Sequence, residues 1–167
     1  DTLPVLAALD ATVVLRSSHG TRQLALDRFV TGVKQNALEP EELIEAVRVP
    51  VLDGPQEFLK VGTRNAMVIS VASLALVVDR AGRSVRVGLG SVAPVPVRAV
   101  EAEAFVDGAI DWDTSSVPDA AVDRFSGLVA EAARPIDDQR GTAAYRSHAI
   151  GVLARRALRR AFSESAP

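Results

Sequence analysis

Few side chains in this 167-residue sequence combine the type and spacing that chemistry needs. His19 and His148 are its 2 histidines, and neither has further ligands at metal spacing, so both read as surface residues. The Cys count of 0 removes disulfides, zinc ribbons, thiol nucleophiles and clusters held by thiolates. No serine sits in a Gly-x-Ser-x-Gly elbow. Glu41-Glu42 has the form of an acid–base pair, but reads more simply as two charges at the start of a short helix. Asp137-Asp138, between Pro135 and Gly141, reads as loop carboxylates that accept nearby backbone N–H groups. Gly88-Leu89-Gly90 comes nearest to a phosphate-cradling loop. It ends a strand, lacks a third glycine and runs into prolines instead of a helix, so it fails as a dinucleotide fingerprint. Arg155, Arg156, Arg159 and Arg160 read as the solvated face of a last helix, with docking of an acidic partner as the alternative.

The elements that must position these residues follow from pattern. Apolar residues make up 48% of the chain and aromatics only 4%, so the core must be built from Ala, Val and Leu. A formal charge of −2 gives no excess of cations for nucleic acid or an anionic membrane, and neither partner is expected. The apolar run Val68–Val78 is too short to span a bilayer. A cytoplasmic setting is expected. Leu3–Asp10 reads as a short helix with Pro4 in its first turn. Ala11–Ser17 and Arg22–Leu26 read as a hairpin turning at Gly20. Asp27–Leu38 reads as irregular, and strands are expected at Leu43–Val49, Glu57–Gly62, Val68–Asp79 and Ser84–Gly90. Helices are expected at Arg98–Val106, at Pro118–Ala133 and after Thr142, whose hydroxyl can cap the last one. The fold class is α+β: antiparallel sheet first, helices after it.

Four stretches together resemble one family. FVTGVKQNALEPEELIEAVRVP (Phe29–Pro50) is similar to F-x-x-G-x-x-x-x-x-L-x-P-x-E-L-I-x-x-V-x-x-P of the FAD-binding subunit of molybdenum hydroxylases, the xanthine dehydrogenase and carbon monoxide dehydrogenase flavoproteins. FLKVGTRNAMVISVASLAL (Phe58–Leu76) is similar to the K-x-x-x-R-x-A-M-D-I-A segment that follows. LGSVAPVPVRAVEAEAF (Leu89–Phe105) resembles G-x-V-A-P-x-P-x-R-A-x-x-x-E. PIDDQRGTAAYRSHAIGVLARRAL (Pro135–Leu158) resembles P-I-x-D-x-R-G-x-x-x-Y-R. Four motifs in the family's order cover nearly the whole chain.

The resemblance implies the second, sheet-containing lobe of a two-lobed FAD-binding domain over residues 1–97, followed by a small C-terminal domain with helices over residues 98–167. It implies that the lobe carrying the phosphate-holding glycines lies upstream, so that Asp1 stands at an internal boundary. It implies FAD as cofactor, and partner subunits: a large one with a molybdenum–pterin centre and a small one with iron–sulfur clusters. Electrons would pass from those clusters through FAD to an external acceptor; a catalytically empty docking module is the alternative. Three positions carry family roles toward FAD: Asp1 as an acceptor for sugar-alcohol hydroxyls, Ile44 as an apolar contact, and Lys60 as a cation beside the flavin. Val68 stands where the family pattern has Asp, which implies a changed acceptor preference. The loop Val61–Ala66, with Gly62, is expected to gate flavin access.

Overall fold

The computed structural model describes residues 1–65 and 67–163. The chain opens with helix α1 (Thr2–Ala8) and the hairpin of β1 (Thr12–Ser17) and β2 (Gly20–Ala25). The turn of that hairpin places Gly20 at φ +143°, a region that favours glycine. The segment expected to be irregular instead contains one helical turn, α2 (Leu26–Phe29), and a small hairpin of β3 (Val30–Gly32) and β4 (Gln35–Asn36). Burial of Leu26 and Phe29 supplies the order that the local pattern of Asp27–Leu38 did not reveal. Strand β5 (Leu43–Arg48) pairs antiparallel with β1, giving a sheet in the order β2-β1-β5.

The second sheet runs β6 (Gln56–Val61), β7 (Ala72–Asp79), β8 (Ser84–Gly90) and β9 (Val97–Arg98), antiparallel throughout. Strand β7 is shorter than the expected Val68–Asp79, because residues 68–71 belong to the connection from β6. Its near-continuous apolar sequence is explained by cover on both faces. Leu74, Leu76 and Val78 share the large core with Val85, Val87 and Leu89 of β8 and with the C-terminal helices. Ala75 and Val77 point the other way, to Ala8 and Leu9 at the end of α1.

The helices are α3 (Val100–Ala109), α4 (Asp119–Ala132) and α5 (Ala143–Ser163). The Thr142 hydroxyl accepts the Tyr145 N–H at 3.1 Å, the expected cap. Ile150, Leu153, Ala154, Ala157, Leu158 and Ala161 form the buried face of α5. Its other face is not simply solvated. Arg155 pairs with Asp123 at 2.6 Å and Arg159 with Asp119 at 2.7 Å, both on α4, and Arg160 lies 3.6 Å from Glu57 on β6.

Residues 97 and 98, on either side of the expected domain boundary, form β9 at the edge of the second sheet. That sheet and α3–α5 share one core, whose buried residues all lie C-terminal to residue 71, with Leu59 and Val61 of β6 packed against them. Among the described residues no helix is long and apolar enough to cross a membrane.

Candidate functional site

Asp1 occupies the N-cap position of α1, yet its carboxylate caps no helical N–H. It turns across to the second sheet. Lys60 Nζ on β6 donates to Asp1 Oδ2 at 2.5 Å, and the Ser70 hydroxyl donates to Asp1 Oδ1. Lys60 Nζ also donates to the Val68 carbonyl at 3.1 Å. The connection from β6 to β7 therefore builds the site, closed at its base by Val71 N–H to Val61 O at 2.8 Å. Gly62 lets the connection fold back on itself, since a Cβ there would stand 2.3 Å from Val68 Cγ1.

Ser70 is buried, while the side chains of Asp1 and Lys60 retain 40% and 33% of their exposure. A buried hydroxyl thus fixes one carboxylate oxygen beneath a half-open ion pair. Each carboxylate oxygen keeps lone-pair capacity, and the ammonium has used two of its three donors among the described residues. Such a cluster can bind a ligand that presents hydroxyls to a carboxylate and an acceptor to an ammonium.

Asp1 also stands at the rim of a groove of about 520 Å³, walled by Phe29, Val30, Val33 and the stretch Pro94–Pro96. Ser91 belongs to the same wall and adopts φ +62°. Its carbonyl accepts from Arg146 Nη1 at 2.7 Å, and Arg146 Nη2 donates to Asp138 at 2.5 Å. Asp138 is held below the usual carboxylate range by the Arg140 backbone N–H and the Arg146 guanidinium. Asp137 accepts the Ala143 N–H at 2.5 Å. The loop carboxylates do bond nearby backbone, as expected, but Asp138 also anchors the buried Arg146 that supports the groove wall.

Two of the three expected site residues, Asp1 and Lys60, meet. Ile44 lies on β5 of the other sheet, opposite Leu15 and 51% exposed. Ser70 was missed by reading the sequence; its only signal was a hydroxyl heading an otherwise apolar run. Val68 contributes its carbonyl, and its side chain lies over Gly62. Met67 and Ile69 flank it and are exposed at 92% and 64%. Ala66, part of the expected gating loop, lies outside the described residues.

Of the turn or short helix expected to open at Pro40 and Glu41-Glu42, the structure has the turn. Glu42 accepts from Arg22 Nε at 2.5 Å and Nη2 at 2.7 Å, and from the Glu39 N–H at 2.8 Å. These bonds, Arg22 first, lower its pKa to about 2. Glu42 therefore locks a loop through Arg22. His19 lies 3.1 Å from Glu41, and no group of metal-ligating side chains forms among the described residues.

The family model of the CO dehydrogenase flavoprotein C-terminal domain matches residues 57–161. The chain belongs to this family. A second model, the FAD binding domain in molybdopterin dehydrogenase, matches residues 1–52. In this CO dehydrogenase flavoprotein relative the second match ends at residue 52, after β5, and the first begins at residue 57, in β6, at the change from one sheet to the other. The glyceraldehyde dehydrogenase medium chain of Sulfolobus acidocaldarius is 31% identical over 158 residues, 93% of this chain and 54% of its own length. The nicotinate dehydrogenase FAD-subunit of Eubacterium barkeri is 34% identical over 118 residues, 65% of this chain and 40% of that subunit. Among solved structures, reconstituted CO dehydrogenase from Oligotropha carboxidovorans superposes with a TM-score of 0.84 at 29% identity, over 99% of this chain and 57% of that one. The chain thus spans about half the length of these relatives.

Proposed function

We propose that this chain is the closing half of an FAD site in the flavin subunit of a molybdenum hydroxylase-like oxidoreductase. The observation that carries this reading is the convergence of Asp1 and Lys60, 59 positions apart in sequence, on one half-exposed cluster. The donor set fits part of FAD and not all of it. A carboxylate suits the hydroxyls of its sugar-alcohol arm, and an ammonium suits a ring system that gains negative charge on reduction. The pyrophosphate would be held by an upstream FAD-binding lobe, the missing half of this site.

When bound, FAD would supply electron transfer from iron–sulfur clusters to an external acceptor. The clusters would belong to a small subunit and the molybdenum–pterin centre to a large one. Within this chain, Asp1 binds and orients the arm, Ser70 fixes the carboxylate, and Lys60 offers positive charge at the ring. Ile44 packs on the cofactor from β5. The loop Val61–Ala66 gates access, with Val68 in place of a carboxylate altering acceptor preference. The expected cytoplasmic setting belongs to the same reading.

Lys60→Ala tests it in the flavin subunit assembled with the upstream lobe. Loss of a charge-assisted contact should weaken FAD binding by about tenfold, read by equilibrium dialysis. The flavin midpoint potential should fall, because the cation that favours the reduced ring is gone. An unchanged affinity together with an unchanged potential refutes the role. A wild-type assembly that takes up no FAD would favour the docking-module alternative.

A further inference from the structure

The Arg98 and Glu103 of the segment VAPVPVRAVEAE have no part in the cluster above, yet the fold invests heavily in them. Arg98 Nε and Nη2 each donate to Glu103 at 2.6 Å, forming a two-pronged pair. Glu103 is buried and also accepts the Val87 N–H at 2.7 Å, which fixes the pair to β8. The remaining nitrogen, Nη1, reaches out of this pair to α1. It donates to the Ala7 carbonyl at 3.3 Å and to the Asp10 carboxylate. Arg86 on β8 holds the other Asp10 oxygen at 3.2 Å. Asp10 sits at φ +48°, just past the end of α1.

The opposite end of α1 is seated on glycine. A Cβ at Gly88 would lie 2.0 Å from the Pro4 carbonyl oxygen, and one at Gly90 would lie 2.4 Å from Pro4 Cγ. The first turn of α1 therefore rests directly on the β8 backbone, at a distance that no other residue type allows. One seven-residue helix is thus fixed by β8 below its first turn and by the Arg98–Asp10–Arg86 clamp at its far end. Asp1 heads that same helix. Sliding or tilting α1 would carry its carboxylate away from Lys60 and Ser70, whose own positions are set independently by β6 and by the connection from β6 to β7.

We propose that Arg98 is a positioning residue for the FAD site: with Glu103 as its buttress, it clamps Asp10 and so holds α1 where Asp1 meets Lys60. The inference rests on the reading of Asp1 as a flavin contact. Arg98 touches no part of the Asp1 cluster and acts only through the helix.

A double-mutant cycle in the flavin subunit assembled with its upstream lobe tests it, with FAD affinity and flavin midpoint potential as readouts. Asp1→Asn alone should weaken FAD binding by about tenfold. Arg98→Met should weaken it severalfold by displacing α1. In the Asp1→Asn background, Arg98→Met should add nothing further to the loss of affinity, although it still lowers the melting temperature. Arg98→Lys keeps a charge near Asp10 but cannot fork onto Glu103, and should fall between wild type and Arg98→Met. If Arg98→Met is additive with Asp1→Asn, or lowers stability with affinity and potential unchanged, Arg98 is structural only and the inference is overturned. If Arg98→Met does not fold, Arg98→Lys carries the same cycle. If Asp1→Asn itself leaves affinity unchanged, the reading of Asp1 fails first and the inference falls with it.

Discussion

In the sheet β6–β9 both faces are covered, by the C-terminal helices on one side and by α1 on the other. In the sheet β2-β1-β5, by contrast, every residue of edge strand β5 is exposed, including Leu43 at 74% and Val47 at 43%. The buried cores differ in the same sense. Among the described residues, 24 buried side chains join the core of the second sheet and only 6 join that of the first. A sheet with an open apolar edge and a small core has little to hold it on its own. The first unit depends on polar fastenings: the Arg22–Glu42 lock on its loop and the Arg98–Asp10 contact at its helix. The second unit is by contrast a well-packed scaffold against which α1 is set.

Removing one large side chain from each core separates the two most sharply. Phe125 is fully buried in the second core, and Phe125→Ala should cost about 3–5 kcal/mol. Trp112, the single tryptophan, packs edge-on against Phe162 of α5 with ring centroids 6.1 Å apart. Its fluorescence therefore reports the second unit. Phe125→Ala should move the urea midpoint of that signal strongly. Phe29→Ala, in the small core, should move it by less than half as much while amide exchange in β1 and β2 accelerates. Equal shifts in the Trp112 signal would show that the units unfold as one.

A smaller effect comes from acid. Glu42 titrates at about 2 in the folded chain, below its ordinary value of 4.5, because Arg22 and the Glu39 N–H favour the carboxylate. A lowered folded pKa gives stability that is complete above pH 4.5 and drains away as pH falls toward 2. Glu42→Gln should lower the melting temperature of the first unit at neutral pH and flatten its decline over that window. The loss should appear as faster amide exchange around residues 37–42, with the Trp112 transition little changed. A decline as steep in the variant as in wild type would remove Glu42 from the account of the first unit.

Legibility in the sequence followed the same divide. The second unit was plain: the alternation of Val85, Val87 and Leu89 marked β8, and the apolar spacing from Ile150 to Ala161 marked the buried face of α5. The first unit is less legible. α2 and the β3–β4 hairpin rest on the burial of Leu26 and Phe29, contacts that no local pattern encodes. For the site, resemblance singled out Asp1 and Lys60, but not that they meet. The reason they meet is a glycine seat on β8 and a long-range clamp, and neither carries a sequence period. Ser70 escaped because one serine beside an apolar run has no chemistry until a carboxylate is folded onto it.

The smallest effect belongs to the surface of the second unit. Arg155 and Arg159 reach back to Asp123 and Asp119 on α4, but their side chains are 45% and 50% exposed. Water and salt screen such pairs, and each is worth at most about 1 kcal/mol. Arg155→Ala and Arg159→Ala should each shift the Trp112 urea midpoint only slightly, and raising the salt concentration should erase the shift. FAD affinity should stay at the wild-type value in both, since α5 reaches the groove through Arg146 at its N-terminal end and not through this face. A loss of FAD in either variant would mean that the outer face of α5 bears on the proposed site, and the second unit would no longer be separable from the site it supports.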